Sequence, residues 1–440
     1  MVNDLRELMS TTTASPPPDT FELGSVLRDG RRRVRRRRLA VLAGTAAATA
    51  TIAVGASVVP FGGPADLDAA GVPRAEGPTL RLADAVAAKA GSDYRVLATH
   101  ANENLDRDNG QYFDGVTDDG LVLFRDGPRA NQLYPRFALL DPASSEKHWL
   151  PDPQIGQTQT WPLELSEERI VLLGLAGGGM KSRLVAHVFD RAAREWTTVS
   201  WPGLAKVDGP DAAVMGPDDR LYVRVPETQG RIPEGGWPVG PDGEADDADA
   251  EGDTFHLWSA SLTDPDDVRD EQLIVGAVDF GATTMTWTDS SGGEAGEVHV
   301  RDLETGEERS FDPRTGEKCN LLSFGATDDH VVMGQYCGTY EDGVRDDRVQ
   351  VLTTDGEQVA TLQDSGVEGW LASDGLATIT SYGDAGGTYL YELATGRFLW
   401  VSDSVSSWSS GGPAPAGMFL WNTPVNRNHG MTEHLGELLD

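Results

Sequence analysis

Side chains that could do chemistry occur throughout this 440-residue chain, but they do not form a recognisable catalytic pattern. No G-x-S-x-G sequence places a serine nucleophile on a tight turn, and none of the eight histidines forms H-E-x-x-H. Asp247, Asp249 and Glu251 follow the spacing of a calcium loop, but Trp258 stands where such a loop needs a bidentate glutamate. We therefore predict no catalytic, cofactor-binding or metal-binding residue, and we expect that the chain is not an enzyme.

Two cysteines and one tryptophan are the side chains that stand out. Cys319 and Cys337 are the only cysteines, and we predict a disulfide between them, because we expect them outside the cytoplasm, where oxidation is permitted. Two free buried thiols are the alternative. Trp237 lies in residues 226–252, a stretch that interrupts a regular repeat. Its Gly, Pro and acid content favours disorder, yet an aromatic ring among flexible polar residues is a typical binding anchor. Trp237 is therefore the candidate ligand contact.

The elements that must position these residues are short strands in repeated pairs, which begin near Tyr94. In each pair a strand, a turn of acidic or small residues and a second strand follow one another. The turns begin near Asp141, Asp190, Thr263, Leu303, Thr354 and Leu393. Once residues 226–252 are set aside, the spacing is about 40 to 50 residues, which is typical of four-stranded propeller blades. This pattern would place Cys319 at the outer end of one blade and Cys337 in the next blade.

A second element, a polar turn followed by an apolar strand, recurs between these pairs. Its seven copies begin at Thr117, Ser166, Gly216, Gly281, Thr327, Ser373 and Pro415. We interpret these copies as the inner strands of seven blades, although the sequence contains only six complete hairpins. The missing hairpin would be completed if strands near Phe419 and Leu435 paired with an N-terminal strand at Tyr94 to Ala98. The predicted fold is an all-β, seven-bladed β-propeller, with six blades as the alternative.

One turn carries a family resemblance. The sequence YELATGRFLW, with Glu392, Thr395, Gly396 and Trp400, resembles the D-x-x-T-G-x-x-x-W turn of quinoprotein-type propeller repeats. Asp302 begins the same pattern without the tryptophan. The resemblance covers residues 95–440 and implies a propeller, a fold also shared by WD40-like and TolB-like repeats. It does not extend to the family's quinone cofactor, because the adjacent cysteines of the family's dehydrogenases are missing.

The N-terminal region has a topogenic pattern. Residues 39–61 carry no charge. They are preceded by a run of seven arginines: Arg31, Arg32, Arg33, Arg35, Arg36, Arg37 and Arg38. At about 1.5 Å per residue this span reaches across a bilayer core of roughly 30 Å. Cationic flanks stay cytoplasmic. We predict a cytoplasmic tail (residues 1–38), a single transmembrane helix (39–61), a spacer with a short helix at residues 79–91 (62–93) and an extracellular propeller (94–440). A cleaved Tat-type export signal is the alternative to this membrane anchor.

The net charge of −34 makes nucleic acid an implausible partner, because two acidic surfaces repel one another. The excess of arginine over lysine resembles actinobacterial proteins. The expected partners are the membrane, contacted through one helix, and an unknown protein or cell-envelope ligand, with the propeller itself monomeric.

Three functional hypotheses follow. The first is a membrane-anchored binding module, because propeller faces are rigid platforms for loops. The second is a transmembrane sensor or anti-sigma-like regulator, although residues 1–38 lack the H-x-x-x-C-x-x-C zinc signature. The third is a carbohydrate-active enzyme of the cell envelope.

Overall fold

The computed structural model describes residues 77–102, 110–127, 135–155, 160–176, 182–207, 209, 212–314, 318–382, 385–404, 414–426 and 430–439. Within these ranges the chain forms seven sheets, and consecutive sheets contact one another until the last meets the first. The prediction of an all-β, seven-bladed propeller is therefore confirmed.

The chain enters the ring through three strands before the first blade: β1 (Thr79–Leu80), β2 (Val86–Ala87) and β3 (Tyr94–Asn102). Blade 1 contains β4 (Gln111–Val116), β5 (Val122–Asp126), β6 (Arg136–Leu140) and β7 (Lys147–Trp149). Blade 2 contains β8 (Thr160–Leu165), β9 (Arg169–Ala176), β10 (Arg183–Asp190) and β11 (Glu195–Ser200). Blade 3 contains β12 (Ala213–Met215), β13 (Arg220–Thr228), β14 (Thr254–Ser261) and β15 (Val268–Val275).

The remaining blades follow the same order. Blade 4 contains β16 (Val278–Phe280), β17 (Thr284–Thr288), β18 (Val298–Asp302) and β19 (Glu308–Phe311). Blade 5 contains β20 (Asn320–Ala326), β21 (His330–Thr339), β22 (Arg345–Thr353) and β23 (Gln358–Asp364). Blade 6 contains β24 (Val367–Ser373), β25 (Leu376–Ser381), β26 (Gly387–Glu392) and β27 (Phe398–Ser402). Blade 7 contains β28 (Met418–Asn426) and β29 (Gly430–Leu438), next to β3.

Six of the seven apolar strands of the sequence pattern are the second strands of blades 1 to 6, and not the innermost ones as expected. The copy that begins at Pro415 is β28, the first described strand of blade 7. In β5, β9, β17 and β25 nearly every side chain is buried. Such a strand has a sheet neighbour on each edge and a blade on each face, so its alternation of apolar and polar residues is lost. The fourth strands, such as β11 and β15, are largely exposed because only one edge is paired.

Blade 7 closes the ring as the sequence predicts. β29 pairs antiparallel with both β28 and β3, so that Leu435 lies opposite Leu420 on one side and Ala98 on the other. Tyr94 packs edge-on against Phe419 and Trp421. The seventh hairpin is thus split between the two ends of the propeller, which explains why the sequence contains only six complete hairpins.

The segment before β3 is not the predicted short helix. β1 pairs in parallel with β23 and β2 with β27, and a single 3-10 turn, η1 (Leu82–Asp84), joins them. This outer segment (residues 79–87) follows the outer edges of blades 5 and 6, because those edges supply backbone partners that an isolated helix would forgo. Leu82 is 4% exposed and packs into the core between these blades.

The blade connections lie on two opposite faces of the ring. The turn face carries the connections from first to second and from third to fourth strands, including the turn in which the Asp302 carboxylate accepts hydrogen bonds from the backbone and hydroxyl of Thr305. The loop face carries the connections from second to third strands, including residues 226–252. No helix among the described ranges is long and apolar enough for a bilayer. The arginine run and residues 39–61 lie outside those ranges.

Candidate functional site

Residues 226–252, here called the insertion loop, form a folded structure on the loop face. The sequence composition favours disorder, but three consecutive turns organise the loop: Gly236 N–H donates to Pro233, Gly243 to Gly240 and Ala250 to Asp247. Gly243 adopts a φ of 83°, which its turn requires. The backbones of Val239 and Ala245 form an isolated bridge. The loop therefore has its own backbone hydrogen bonds.

The insertion loop crosses blade 4 after it leaves blade 3. The Gly230 N–H donates to the Asp253 carboxylate at 2.7 Å. The backbones of Asp253 and Ser291, which lies in blade 4, exchange two N–H···O hydrogen bonds. The Ala250 carbonyl accepts a hydrogen bond of 3.1 Å from the Glu294 N–H. The base of the loop is therefore fixed to the neighbouring blade.

The tip of the loop reaches blade 5. The Arg345 guanidinium lies 3.3 Å from the Asp242 carboxylate and 3.8 Å from the centre of the Tyr336 ring. The Tyr336 hydroxyl donates to the Asp246 carboxylate at 3.4 Å. Ala248 and Ala250 are buried, at 8% and 5% exposure. The loop thus packs on two blades beyond its own connection.

Trp237 lies on the wall of an open depression of about 580 Å³ within this loop. The apolar part of the lining consists of Trp237, Ile232 and Pro233, and Ile232 is 69% exposed. The charged part consists of Arg231, Glu234, Asp249 and Glu251. The structure therefore places the sequence-predicted contact Trp237 in a surface depression with three carboxylates.

This combination is suited to a cation with an apolar stem. An indole ring attracts a Lys or Arg head group through its π face, and nearby carboxylates add Coulombic attraction. Exposed apolar surface such as Ile232 can accommodate the methylene stem of the same side chain. No group of three or more His, Cys, Asp or Glu side chains within the described ranges is close enough to hold a metal ion.

Blade 5 carries a polar cluster beside the tip of the loop. Asp346 is 2% exposed and lies next to Arg348, Gln363 and Tyr340. Burial alone would raise its pKa, but the hydrogen bond and charge of Arg348 lower that pKa below its ordinary value. Asp346 thus accepts hydrogen bonds from Tyr340 in the β21–β22 connection, from Arg348 in β22 and from Gln363 in β23.

Cys319 and Cys337 are disulfide-bonded, with Cα atoms 4.1 Å apart. The expectation that they belong to neighbouring blades is wrong. Cys319 directly precedes β20 and Cys337 lies in β21, so both belong to blade 5. The hairpin pattern misplaced Cys319 because it does not mark the innermost strands.

Three histidines in strands have structural partners. His187 is 6% exposed and bonds to Thr198 at 3.1 Å, and His256 lies 2.8 Å from Asp270. His299 stacks on Trp287 with ring centres 5.0 Å apart and lies 2.8 Å from Asp289. Each of these histidines therefore has its partner within its own blade.

Sequence reasoning missed the residues that hold the loop in place. Arg345, Tyr336 and Asp242 belong to blades 5 and 3 and are far apart in sequence, so no local motif joins them. The glycines of the loop were a usable sequence signal for ordered turns, since Gly235, Gly236 and Gly243 all have positive φ in tight turns.

Comparison with known proteins gives matches only at the level of structure. No protein-family model matches the chain, and no curated protein matches it. The β-propeller domain of the Trilobed protease from Pyrococcus furiosus is 12% identical with a TM-score of 0.41, covering 66% of this chain and 83% of that one. A puromycin-hydrolyzing peptidase of Mycobacterium tuberculosis is 14% identical (TM-score 0.42), covering 75% of this chain and 53% of that one. The acylaminoacyl peptidase of Pyrococcus horikoshii is 11% identical (TM-score 0.45), covering 78% and 54%.

These structures are peptidases or part of one, which contradicts the hypothesis of a stand-alone binding module with its sensor and glycan-enzyme alternatives. That sequence-based hypothesis is therefore wrong. The chain spans about half the length of the two whole peptidases. TM-scores of 0.41 to 0.45 carry no activity, substrate or site over to this chain.

Proposed function

We propose that this chain selects polypeptide substrates within a peptidase system. In this proposal the insertion loop holds a cationic side chain of an extended peptide, and the peptidase to which the propeller belongs hydrolyses the peptide bond. The depression that combines Trp237 with Glu234, Asp249 and Glu251 carries the proposal. The similarity of this chain to peptidase structures motivates the peptidase context, but it does not support the assignment of this depression.

The chemistry of the depression favours a lysine or arginine side chain over other ligands. A cation over a tryptophan face gains about 0.5 to 2 kcal/mol, depending on how far it is desolvated. The net charge of −34 attracts cationic chains over long distances and repels acidic ones. A polypeptide fits better than an enclosed small molecule, because the depression is open and Ile232 faces solvent at its rim.

Binding of three matched peptides tests this proposal. Peptides of about nine Gly, Ser and Ala residues would carry one central lysine, norleucine or glutamate and a terminal fluorophore. Fluorescence anisotropy with the full chain should show that the lysine peptide binds about tenfold more tightly than the norleucine peptide, and the glutamate peptide most weakly. Trp237→Ala and Glu251→Gln should each weaken binding of the lysine peptide by about tenfold.

Glu307→Gln is the matched control, because it removes one exposed negative charge from the turn face. It should leave the affinity for the lysine peptide unchanged. Equal affinities for all three peptides, or wild-type affinity in Trp237→Ala, would rule out the proposal. Membrane anchoring through residues 39–61, an extracellular location and a monomeric state stay predictions.

A further inference from the structure

The Cys319–Cys337 disulfide lies at the point where the β20–β21 ladder ends. The last paired residues on this side are Asn320 and Tyr336, so the cysteines form the next position beyond the ladder. On its other edge β21 loses register between Tyr336 and Thr339. Gly338, directly after Cys337, has a φ of 113°. The disulfide therefore restrains a strand end whose pairing with β22 is irregular, although Thr339 still pairs with Arg345.

The residues on either side of Cys337 are the ones that contact the insertion loop. The Tyr336 hydroxyl bonds to Asp246, and Arg345 lies over the Tyr336 ring while it pairs with Asp242. The loop backbone approaches Thr339 closely: a Cβ added to Gly240 would lie 3.0 Å from the Thr339 hydroxyl. The end of β21 is therefore the surface on which the loop tip rests.

The other cysteine is linked to the base of the loop. Lys318, directly before Cys319, lies 3.0 Å from the Glu294 carboxylate. The Glu294 backbone in turn donates to the Ala250 carbonyl. Both halves of the disulfide thus neighbour groups that hold residues 240–250 against blades 4 and 5.

We propose that this disulfide is a redox-sensitive restraint on the insertion loop. Reduction releases residues 240–250 from blade 5 and, if the proposed function holds, weakens peptide binding at the Trp237 depression. The reductant is a dithiol: one of its thiolates attacks a cystine sulfur and displaces the other as a thiolate. Its second thiol then resolves the mixed disulfide. Two electrons and two protons pass to the protein, which gains two thiols, while the reductant becomes a disulfide.

Reduction should open only the insertion loop and not the whole propeller, because both cysteines lie in one blade and the ring is closed elsewhere by β3 and β29. Local segments open independently when few buried contacts hold them. The strand cores should therefore remain protected when the loop opens.

Hydrogen–deuterium exchange of the full chain, with and without dithiothreitol, tests the proposal. Amide exchange of residues 240–250 should accelerate about tenfold or more on reduction, whereas exchange in β9 and β25 should not change. The double variant Cys319→Ser/Cys337→Ser should show the fast loop exchange without reductant and no further response to it. Tyr336→Phe, which keeps the disulfide but loses the Asp246 contact, should accelerate loop exchange in the oxidised protein.

Two outcomes would overturn the proposal: unchanged loop exchange on reduction, or an equal acceleration throughout the propeller. Faster loop exchange together with weaker binding of the lysine peptide would support both proposals. Faster loop exchange in a protein that never binds the lysine peptide would support the redox restraint and refute the peptide-binding function, so the two failures are distinguishable.

Discussion

Asp279 shows how a single buried carboxyl group links blades and responds to pH. It lies in β16 and accepts backbone hydrogen bonds from Phe280 at 2.9 Å and from Ala326 of blade 5 at 2.8 Å. Burial raises its pKa to about 6, although both hydrogen bonds act in the opposite direction. The native state therefore holds this proton more tightly than the unfolded chain does. Its contribution to the free energy of unfolding is complete below about pH 4 and is lost as pH rises towards 6.

Asp279→Asn should remove this pH dependence, because the amide carries no charge, although its NH2 group cannot accept one of the two backbone hydrogen bonds that Asp279 receives on separate oxygens. The stability of the variant relative to the wild type should therefore rise by about 1 kcal/mol between pH 4 and pH 7, on top of a pH-independent cost of the lost hydrogen bond. Urea unfolding at pH 4, 5, 6 and 7 would measure the difference. Glu307→Gln, an exposed charge change, should give no such trend. A difference between variant and wild type that is the same at every pH would contradict the assignment.

At the scale of elements, the outer segment (residues 79–87) is stabilised by sheets that lie far away in sequence. Its two strands contain two residues each, so they depend on the edges of β23 and β27 and on the buried side chain of Leu82. Arg81 adds a hydrogen bond of 3.0 Å to the Gln363 carbonyl. The segment therefore acts as a brace across two blades.

Leu82→Ala tests this brace. The substitution should lower the free energy of unfolding by about 2 kcal/mol, because it leaves a cavity between blades 5 and 6. Leu303→Ala is the control, since Leu303 is 40% exposed in a turn, and it should change stability by less than about 0.5 kcal/mol. Chemical denaturation of both variants gives the comparison. Equal stability of the two would mean that the outer segment contributes nothing to the fold.

The sequence predicts those elements whose signal is local. The turn at Asp302 and the repeated apolar strands carry their own pattern, so their spacing favours seven blades over six and predicts the β3–β29 closure. The structures of the outer segment and the insertion loop do not follow from a local pattern, because the residues that they contact are distant in sequence. Apolar residues four positions apart in residues 79–91 indicate a helix, yet the exposed blade edges offer hydrogen bonds that outweigh local propensity. The order of the loop likewise depends on Arg345 and Tyr336 in blade 5.

At the scale of the whole molecule, the ring is a rigid frame with different chemistry on its two faces. The turn face carries acids that join neighbouring blades, such as Asp119, whose carboxylate lies 2.7 Å from Arg191. The loop face carries the insertion loop, whose carboxylates Glu234, Asp249 and Glu251 line a depression. This depression on the loop face combines a tryptophan, exposed aliphatic surface and carboxylates.

Photo-crosslinking locates the bound peptide and so tests the central claim most directly. A lysine peptide with benzoylphenylalanine next to the lysine would be irradiated with the full chain, and mass spectrometry would map the crosslinks. We expect crosslinks within residues 231–251, suppressed by excess unlabelled lysine peptide and lost in Trp237→Ala. Saturable crosslinks confined to the turn face or to the outer strands would contradict the assignment of the insertion loop as the peptide site.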